Sequence, residues 1–389
     1  MAENKQDKRP NVPPLRFSEF SEPWERYKVS DILDFYSTNS LSWEQLEFTD
    51  GELRNLHYGM IHVGLPTLLN LRESKLPTIK DGNEPKSYTL CINGDVAFAD
   101  ASEDTNDVAK AIELVETDGQ KVVFGLHTIH GRDNKGLTEA GFKGYLFSSR
   151  VFHDQIKRIA QGTKVFSISN KNFSECFVGI PSKAEQSKIA RLFSLLDKRI
   201  AVQSKLIEQL ESLMGGIIER LTAQSPNVRI ADCLECHSST LQENQLNEDG
   251  NYRVYGANGV CGYTDSSEIN GDSILIVKDG SGVGNVSFAT GEYSVIGTSN
   301  YLTAKSGHNL RYLYYCLKKF NFAPYKTGMA IPHIYFKDYG KAKIYCPAHD
   351  EQERIANILS KIERKMVIER SITDHYIEQK QYLLQQLFI

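Results

Sequence analysis

The chain has 389 residues, of which 40% are hydrophobic and 24% are charged, and its formal net charge is −4. These values are ordinary for a globular protein of two or three domains, and they exclude the disordered and fibrous classes. No apolar run approaches the roughly 18 residues that span a bilayer, and the polar N-terminus lacks a signal-peptide core. Because seven scattered cysteines also fit reduced thiols rather than a disulfide framework, we expect a cytoplasmic protein.

Two strand-rich regions alternate with two helical regions along the chain. In the strand-rich regions, short β-branched or aromatic runs such as 122–124 and 273–277 are separated by clusters of glycine, asparagine and aspartate. In the first helical region, apolar residues from Ile189 to Leu221 alternate steps of four and three, which predicts a helix at 184–221 of about 57 Å. The second helical region repeats this pattern less regularly after Ile355. The sequence therefore predicts α+β domains that alternate with long helices.

The sequence that opens the first long helix returns 166 positions later. Residues 181–190 read PSKAEQSKIA, and residues 347–356 read PAHDEQERIA. Upstream positions repeat in the same order, namely 92–95 with 269–272, 29–34 with 230–235, and Gly162, Ile168 and Phe173 with Gly328, Ile334 and Tyr339. A repeat this long indicates two copies of a globular-plus-helix unit, and so two copies of one binding task. Antiparallel packing of the two helices would bury the apolar stripe of each and relate the units by a pseudo-two-fold axis.

Positive charge is concentrated in the second half of each unit. Between Lys305 and Lys343, eight lysines and arginines face the single carboxylate of Asp338. The first unit shows a weaker excess between Lys143 and Lys171. Such a stretch can be a solvated surface, but its recurrence in both units favours contact with phosphates.

Several catalytic and cofactor motifs are absent or incomplete. Cys233, Cys236 and His237 spell a haem-attachment motif, but the repeat places both cysteines opposite apolar packing positions, and no second cysteine pair completes a zinc site. The run from Gly280 to Gly284 is followed by a strand pattern instead of a helix, which predicts a hairpin loop that is either a DNA contact or a plain turn. The sequence has no P-loop and no amino-methyltransferase tetrapeptide, and we predict no catalytic, cofactor-binding or metal-binding residue.

Taken with these features, the chain resembles the specificity (S) subunits of type I restriction-modification enzymes. The resemblance rests on Pro14-Leu-Arg-Phe17 with Trp24, on the two Glu-Gln helix entries at 185–186 and 351–352, and on the run from Tyr255 to Gly259. It implies two target-recognition domains, each reading half of a bipartite site in double-stranded DNA, with two antiparallel coiled-coil helices that set the spacer. The implied segments are an N-terminal arm (1–23), a first recognition domain (24–180), a first central helix (181–222), a second recognition domain (227–346) and a second helix (347–389).

The resemblance also implies partners and the location of the chemistry. Methyltransferase subunits, usually two, would bind this chain and use S-adenosylmethionine, and restriction subunits would supply cleavage with ATP and Mg²⁺. This chain would then be a non-catalytic recognition subunit without a cofactor of its own and without a membrane partner. A coiled-coil scaffold without DNA recognition, or a stand-alone methyltransferase or nuclease, remains the alternative. Detectable methylation by the chain alone would favour the second of these.

The predicted DNA contacts follow residue type and position, because lysines suit phosphates and polar loop side chains suit base edges. For phosphates we predict five lysines from the basic halves: Lys143, Lys157, Lys164, Lys319 and Lys326. For base edges we predict polar loop residues of both units: Tyr58, Ser102, Asn106, Arg132, Tyr255, Asn258, Lys278 and Ser281. The first unit has 101–106 where the second has 278–283, and two readers of different sequences would differ at such a loop.

Overall fold

The computed structural model describes residues 11–328 and 330–389, and residues 1–10 of the predicted N-terminal arm lie outside the described part. The chain forms two compact units. The first unit comprises the described residues up to Gln203 together with Ile372–Ile389, and the second comprises Ser204–Ser371. Both units mix helices with sheets, as the sequence predicts. In the described part of the chain, no helix is long and apolar enough to cross a membrane.

The first unit contains many short strands and a few short helices before the first long helix. Its strands are β1 (Glu25–Lys28), β2 (Asp34–Tyr36), β3 (Leu46–Glu47), β4 (Leu53–Leu56), β5 (Leu68–Asn70), β6 (Thr78–Ile79), β7 (Val96–Ala99), β8 (Ala101–Ser102), β9 (Ala111–Glu116), β10 (Lys121–Phe124), β11 (Thr128–Arg132), β12 (Phe166–Ser167) and β13 (Phe177–Ile180). Its helices are α1 (Val29–Ile32), α2 (Tyr58–His62), α3 (Phe142–Phe147), α4 (Arg150–Ile159) and α5 (Asn170–Ser174), followed by α6 (Lys183–Thr222).

Two sheets form the body of the first unit, one with strand order β2-β11-β7-β9-β5 and one with order β10-β4-β6-β3. The largest core cluster lies between the first sheet and the helices, where Phe98, Phe147, Phe152 and Phe173 are fully buried and contact one another. The antiparallel pair β1 and β13 joins the beginning of the unit to the residues that precede α6. This pairing fixes where the long helix starts.

The second unit repeats this plan with other residues. Its strands are β14 (Val228–Arg229), β15 (Leu234–Ser238), β16 (Tyr252–Gly256), β17 (Gly259–Thr264), β18 (Ile269–Asn270), β19 (Ser273–Val277), β20 (Val286–Ala289), β21 (Glu292–Val295), β22 (Ser299–Ala304) and β23 (Lys343–Ile344). Its helices are α7 (Ile230–Cys233), α8 (Leu310–Lys318), α9 (Phe336–Tyr339) and α10 (His349–Gln386). The sheets have strand orders β15-β22-β19-β20 and β17-β16-β21-β18.

The β14 and β23 pair of the second unit corresponds residue by residue to the β1 and β13 pair of the first. Lys28 lies opposite Phe177 in one unit, and Arg229 lies opposite Lys343 in the other. The first strand of each pair, β1 or β14, is followed by one helical turn, α1 or α7, which leads into the next strand. The shared register gives the sequence repeat a structural equivalent and allows positions in the two units to be compared directly.

The glutamine of each repeated Glu-Gln pair is a buried clamp at the start of a long helix. The Oε1 atom of Gln186 accepts the backbone N–H of Glu139 at 2.8 Å, and Gln352 accepts that of Asn309 at 2.9 Å. Each Nε2 also donates to the carbonyl of the proline five residues earlier, Pro181 or Pro347. A buried amide with its polar atoms bonded holds one register. The repeated glutamine therefore fixes the helix entry to the loop before α3 or α8.

The preceding glutamates differ in role between the two units. Glu185 is buried, bonds Arg16 through both carboxylate oxygens at 2.7 Å and accepts the Trp24 indole N–H at 3.3 Å. Glu351, in contrast, pairs with Arg354 one turn away on the exposed surface of α10. The glutamate of the first unit therefore anchors the segment that includes Arg16 and Trp24, whereas the glutamate of the second unit pairs within the surface of its own helix.

The helix that the sequence predicts at 184–221 is confirmed as α6, which has 40 residues. The later helix, α10, has 38 residues. In the first unit Asp197 of α6 pairs with Lys380 of α10 at 2.6 Å, and in the second unit Glu211 pairs with Arg370. In each unit, buried apolar residues of both helices join the core cluster.

Candidate nucleic-acid interface

Two loops of the second unit converge on one groove of about 270 Å³. The tight turn between β16 and β17 contributes Asn258, and the loop at 278–285 between β19 and β20, here called the glycine loop, contributes Ser281. Because β19 and β20 pair antiparallel, the predicted hairpin at these glycines is confirmed. The backbone at Gly280 has φ +95°, a conformation that suits glycine. The fold thus brings together two exposed, predicted base contacts that are distant in sequence.

A third segment, residues 326–333 apart from 329, packs beside the glycine loop. Thr327 and His333 close it with reciprocal backbone hydrogen bonds of 2.9 and 2.8 Å, and the Gly280 N–H donates to the Pro332 carbonyl at 3.0 Å. Exposed Lys326 leads into this segment. The segment that contacts the glycine loop therefore carries an exposed lysine at its start, as a phosphate contact requires.

The first unit builds a comparable pair of segments. Residues 161–167 close with reciprocal backbone hydrogen bonds of 2.9 Å between Gln161 and Ser167, and exposed Lys164 lies within them. Since β12 pairs with β8, Ser102 lies directly opposite Phe166 of this segment. The loop then continues through Asp104, whose carboxylate accepts the backbone N–H of Asn106 at 2.8 Å and its side-chain amide N–H at 2.9 Å. Ser102, Asn106 and Lys164 therefore belong to one surface of the first unit.

A glycine with positive φ shapes each lysine-bearing segment. A Cβ on Gly162 (φ +139°) would lie 1.9 Å from the Val165 carbonyl oxygen, and one on Gly328 (φ +87°) would lie 2.4 Å from that of Ile331. In both segments the clash is with the backbone carbonyl three residues later, which no rotamer change could relieve. These glycines are required for the turn, and they mark the two segments as equivalent.

The loops beside these segments differ in charge at equivalent positions. The Asp100 carbonyl accepts the Ile168 N–H in the first unit, and the Lys278 carbonyl accepts the Ile334 N–H in the second, both at 2.9 Å. The structure therefore aligns Lys278 with residue 100, one position earlier than the sequence comparison of 101–106 with 278–283. The first unit thus places a carboxylate, bonded to His127 at 3.1 Å, where the second places an ammonium group. Two surfaces with one backbone plan and different side chains suit two different target sequences.

An aromatic cluster surrounds the predicted contact Tyr58. Its ring lies 4.7 Å from that of His57, 5.2 Å from that of His127 and 5.9 Å from that of His62, and Trp43 contacts His57 at 4.5 Å. Burial lowers the pKa of His57, and His127 lowers it further. Spacing along the sequence does not show that three separate segments, at Trp43, at 57–62 and at His127, meet here. Exposed Trp43 was also missed.

The predicted phosphate contact Lys143 is wrong, because this side chain is inside the first unit. Its side chain is 96% buried, and its ammonium group lies 3.1 Å from a carboxylate oxygen of Glu113 and donates to the Thr138 hydroxyl at 3.1 Å. Glu113 is itself fully buried. The basic half of the second unit is likewise reduced, because Arg311 and Lys318 both pair with Glu363.

The remaining predicted contacts lie outside the converging loops. Arg132 is 85% buried and donates two hydrogen bonds of 2.7 Å to Asp95 while it covers the Tyr36 ring. Tyr255 packs edge-on against Tyr293 and is half-buried. Two exposed lysines stand elsewhere: Lys157 on α4 and Lys319, which lines a cavity of about 300 Å³ with Tyr325.

The Asp95 and Arg132 pair leads to a prediction on acid stability. Burial raises the pKa of Asp95, but hydrogen bonds from Arg132 and His130 outweigh it and hold the pKa below its ordinary value of 3.8. A carboxyl group with a lowered folded pKa stabilises the protein above its unfolded pKa and loses this effect as the pH falls through the folded pKa. We expect Asp95→Asn to cost about 2–3 kcal/mol at neutral pH. The difference from the wild type should shrink below about pH 4.

Urea unfolding midpoints of both proteins between neutral pH and pH 3 measure this difference. Asp50→Asn is the control, because the Asp50 side chain is exposed and its ion pair with Arg54 has a long N–O distance of 3.9 Å. A difference between wild type and Asp95→Asn that stays constant into acid would contradict the assignment.

Comparison with known proteins agrees with this two-unit architecture. The family model described as "Type I restriction modification DNA specificity domain" matches residues 123–212 and 226–375, which is more than half of the chain and reaches into both units. The chain belongs to this family. The resemblance stated from the sequence is therefore confirmed.

One curated relative of this specificity-domain family is the Type I restriction enzyme EcoprrI specificity subunit of Escherichia coli, which is 26% identical over 123 residues. That match covers 32% of this chain and 30% of the relative, so it spans under a third of the relative's length. Among solved structures, the S subunit of a type I restriction-modification system from M. genitalium has a TM-score of 0.68 at 16% identity, with 97% of this chain and 99% of that chain covered. A chain from a structure on complex assembly and conformational transition of the type I R-M system has a TM-score of 0.54 at 15% identity, with 94% and 98% covered. These two likenesses concern the fold.

Proposed function

We propose that this chain is the DNA specificity subunit of a type I restriction-modification system and that each unit reads one half of a bipartite site. The observation that carries the proposal is the paired surface: both units place a polar loop beside a glycine-dependent segment that bears an exposed lysine, Lys164 or Lys326. The side chains on the two surfaces differ, as Asp100 and Lys278 illustrate. One backbone plan with two sets of side chains suits one task performed on two sequences.

The long helices would set the distance between the half-sites. The 40 residues of α6 correspond to about 60 Å at 1.5 Å per residue, compared with about 34 Å for one turn of the DNA duplex. In this proposal, residues 24–180 and 227–346 are the target-recognition domains, and 181–222 and 347–389 form an antiparallel coiled coil. The gap in the recognised sequence would then be a property of the helices rather than of the reading loops.

The chemistry would belong to partner subunits. We propose that methyltransferase subunits, two per complex, bind this chain and supply S-adenosylmethionine, and that a restriction subunit, where present, supplies ATP- and Mg²⁺-dependent cleavage. This chain would be non-catalytic, without a cofactor for that reaction, and would act in the cytoplasm, where the DNA is. The buried glutamine at each helix entry, Gln186 or Gln352, supports a role for these entries in holding the framework rather than in reading bases.

The test is to co-express the chain with the methyltransferase gene beside it and to map methylated adenines by long-read sequencing. We expect a split motif with a fixed gap, and no such motif when the methyltransferase is expressed alone. A continuous motif, or no change on adding the chain, would contradict the proposal and favour a scaffold. Methylation by the purified chain without a partner would instead favour a self-sufficient methyltransferase.

A further inference from the structure

Two thiols and one imidazole meet in the second unit, outside the loops described above. Cys233 ends α7, His308 precedes α8 and Cys346 follows β23, and one potential ligand atom from each lies within 4.8 Å of the other two. Cys233 and Cys346 are buried and close enough to hydrogen-bond, while His308 is half-buried. Thiolate sulfur and imidazole nitrogen are the ligands that zinc prefers in proteins.

The backbone around the cluster holds these side chains in place. The side chain of Asn227 bonds both the N–H and the carbonyl of Cys346 at 2.8 Å, and the Cys233 carbonyl accepts the Lys305 N–H at 2.9 Å. The Nδ1 atom of His308 lies 3.2 Å from the Ser306 carbonyl oxygen. With its proton on Nδ1, the imidazole donates to this carbonyl and leaves Nε2 as the acceptor. A backbone carbonyl that accepts the N–H of the ring nitrogen not bound to the metal is typical of metal-binding histidines.

The first unit shows that the fold does not need these residue types for packing. The common register of β1 with β13 and of β14 with β23 places Cys233 opposite Ile32 and Cys346 opposite Ile180. Thr138 is the equivalent of His308. Each directly precedes the residue, Glu139 or Asn309, whose N–H donates to the repeated glutamine. Thus the second unit has metal-ligating residues at three meeting positions where the first has isoleucine, threonine and isoleucine. The sequence alone does not predict this cluster, because its three residues come from distant segments rather than from closely spaced cysteine pairs.

We propose that Cys233, His308 and Cys346 bind one zinc ion in the second unit. Two thiolates and one neutral imidazole occupy three coordination positions, and binding releases the thiol protons. The fourth position is available to water, because His308 is half-exposed. The ion links α7, the loop before α8 and the residues that precede α10, and so stabilises the entry to the second long helix. This proposal is independent of DNA reading.

The experiment uses the full chain, purified without a metal-affinity column and treated with chelator, and then titrated with Zn²⁺ or Co²⁺. We expect one ion per chain, a rise in the thermal unfolding temperature with Zn²⁺, and a thiolate-to-cobalt charge-transfer band with Co²⁺. Loss of a group that only hydrogen-bonds to a metal ligand already costs about 10–100-fold in metal affinity, so loss of a ligand itself in Cys233→Ser or His308→Ala should weaken binding by more than about 100-fold. Cys261→Ser is the matched control, since Cys261 is an exposed thiol of the same unit.

A triple variant distinguishes loss of metal binding from misfolding. Cys233→Ile with His308→Thr and Cys346→Ile installs the residues that the first unit uses at these positions, so it should fold and bind no metal. Absence of the cobalt band in the wild type, or its persistence in the triple variant, would overturn the proposal. So would a Cys233–Cys346 disulfide found by mass spectrometry in protein prepared under reducing conditions.

Discussion

Replacing Glu113 by alanine should destabilise the first unit by about 3–5 kcal/mol, because it leaves the buried ammonium group of Lys143 without its counter-charge. The carboxylate of Glu113 also accepts the N–H groups of Gly141 and Gly144, both at 2.8 Å. These two N–H groups position the start of α3 and are buried with the ion pair. Loss of one side chain therefore removes three interactions at a single buried point.

A double variant distinguishes the loss of the ion pair from the loss of the two backbone hydrogen bonds. Glu113→Leu with Lys143→Met should recover part of the loss, since apolar residues of similar volume often replace a buried ion pair at little cost. The recovery should be incomplete, because two buried backbone N–H groups then lack an acceptor, at about 1–3 kcal/mol each. Hydrogen exchange of α3 and β9 measures the effect in the first unit alone.

Glu116→Ala is the control for these variants. Glu116 lies on the same strand, but it pairs with exposed Arg72 at 3.4 Å, and such a surface pair contributes about 0–1 kcal/mol. If Lys143→Met left exchange unchanged and weakened DNA binding instead, Lys143 would be a phosphate contact after all and its burial would not hold in solution.

Lys143 also shows why charge along a sequence is a poor guide to charge on a surface. The run from Lys143 to Lys171 identifies a basic stretch, but a sequence does not show that α3 packs its lysine onto a glutamate of β9, 30 residues earlier. Arg132 is similar, since its partner Asp95 lies directly before β7, 37 residues earlier. Long-range pairs of this kind depend on which strands are neighbours, and local spacing carries no information on that.

Features that depend on local pattern were predictable. The step of four and three specifies α6 almost to its ends, and the glycines at 280–284 specify a turn between two strands. The internal repeat also allowed a prediction beyond local pattern, because it aligned Gly162 with Gly328, and both glycines shape the same kind of turn. The repeat does not show the side-chain geometry around those turns. It also does not show that Trp43 and His127 meet the helix that carries Tyr58, since they come from separate segments.

Replacing Asn258 by alanine should change the bases methylated in one half of the split motif and leave the other half and the gap unchanged. Asn258 is exposed on the turn that lines the groove with Ser281. A side-chain amide that reads a base edge contributes about 1–3 kcal/mol of discrimination, and alanine cannot replace its hydrogen bonds. Asn106→Ala is the matched change in the first unit, and it should affect the opposite half.

Lys326→Ala distinguishes base reading from phosphate contact within the same surface. The exposed ammonium group should contact the DNA backbone, so its loss should weaken binding to all sequences alike and reduce the slope of log affinity against log salt by about 0.9. The methylated motif should stay the same, because phosphates carry no sequence information. Long-read methylation maps and salt titrations of the assembled complex measure the two effects separately. If Asn258→Ala altered both halves, or Lys326→Ala altered the motif, the two-unit assignment of reading and anchoring residues would be wrong, since each half-site is assigned to one unit and its own loops.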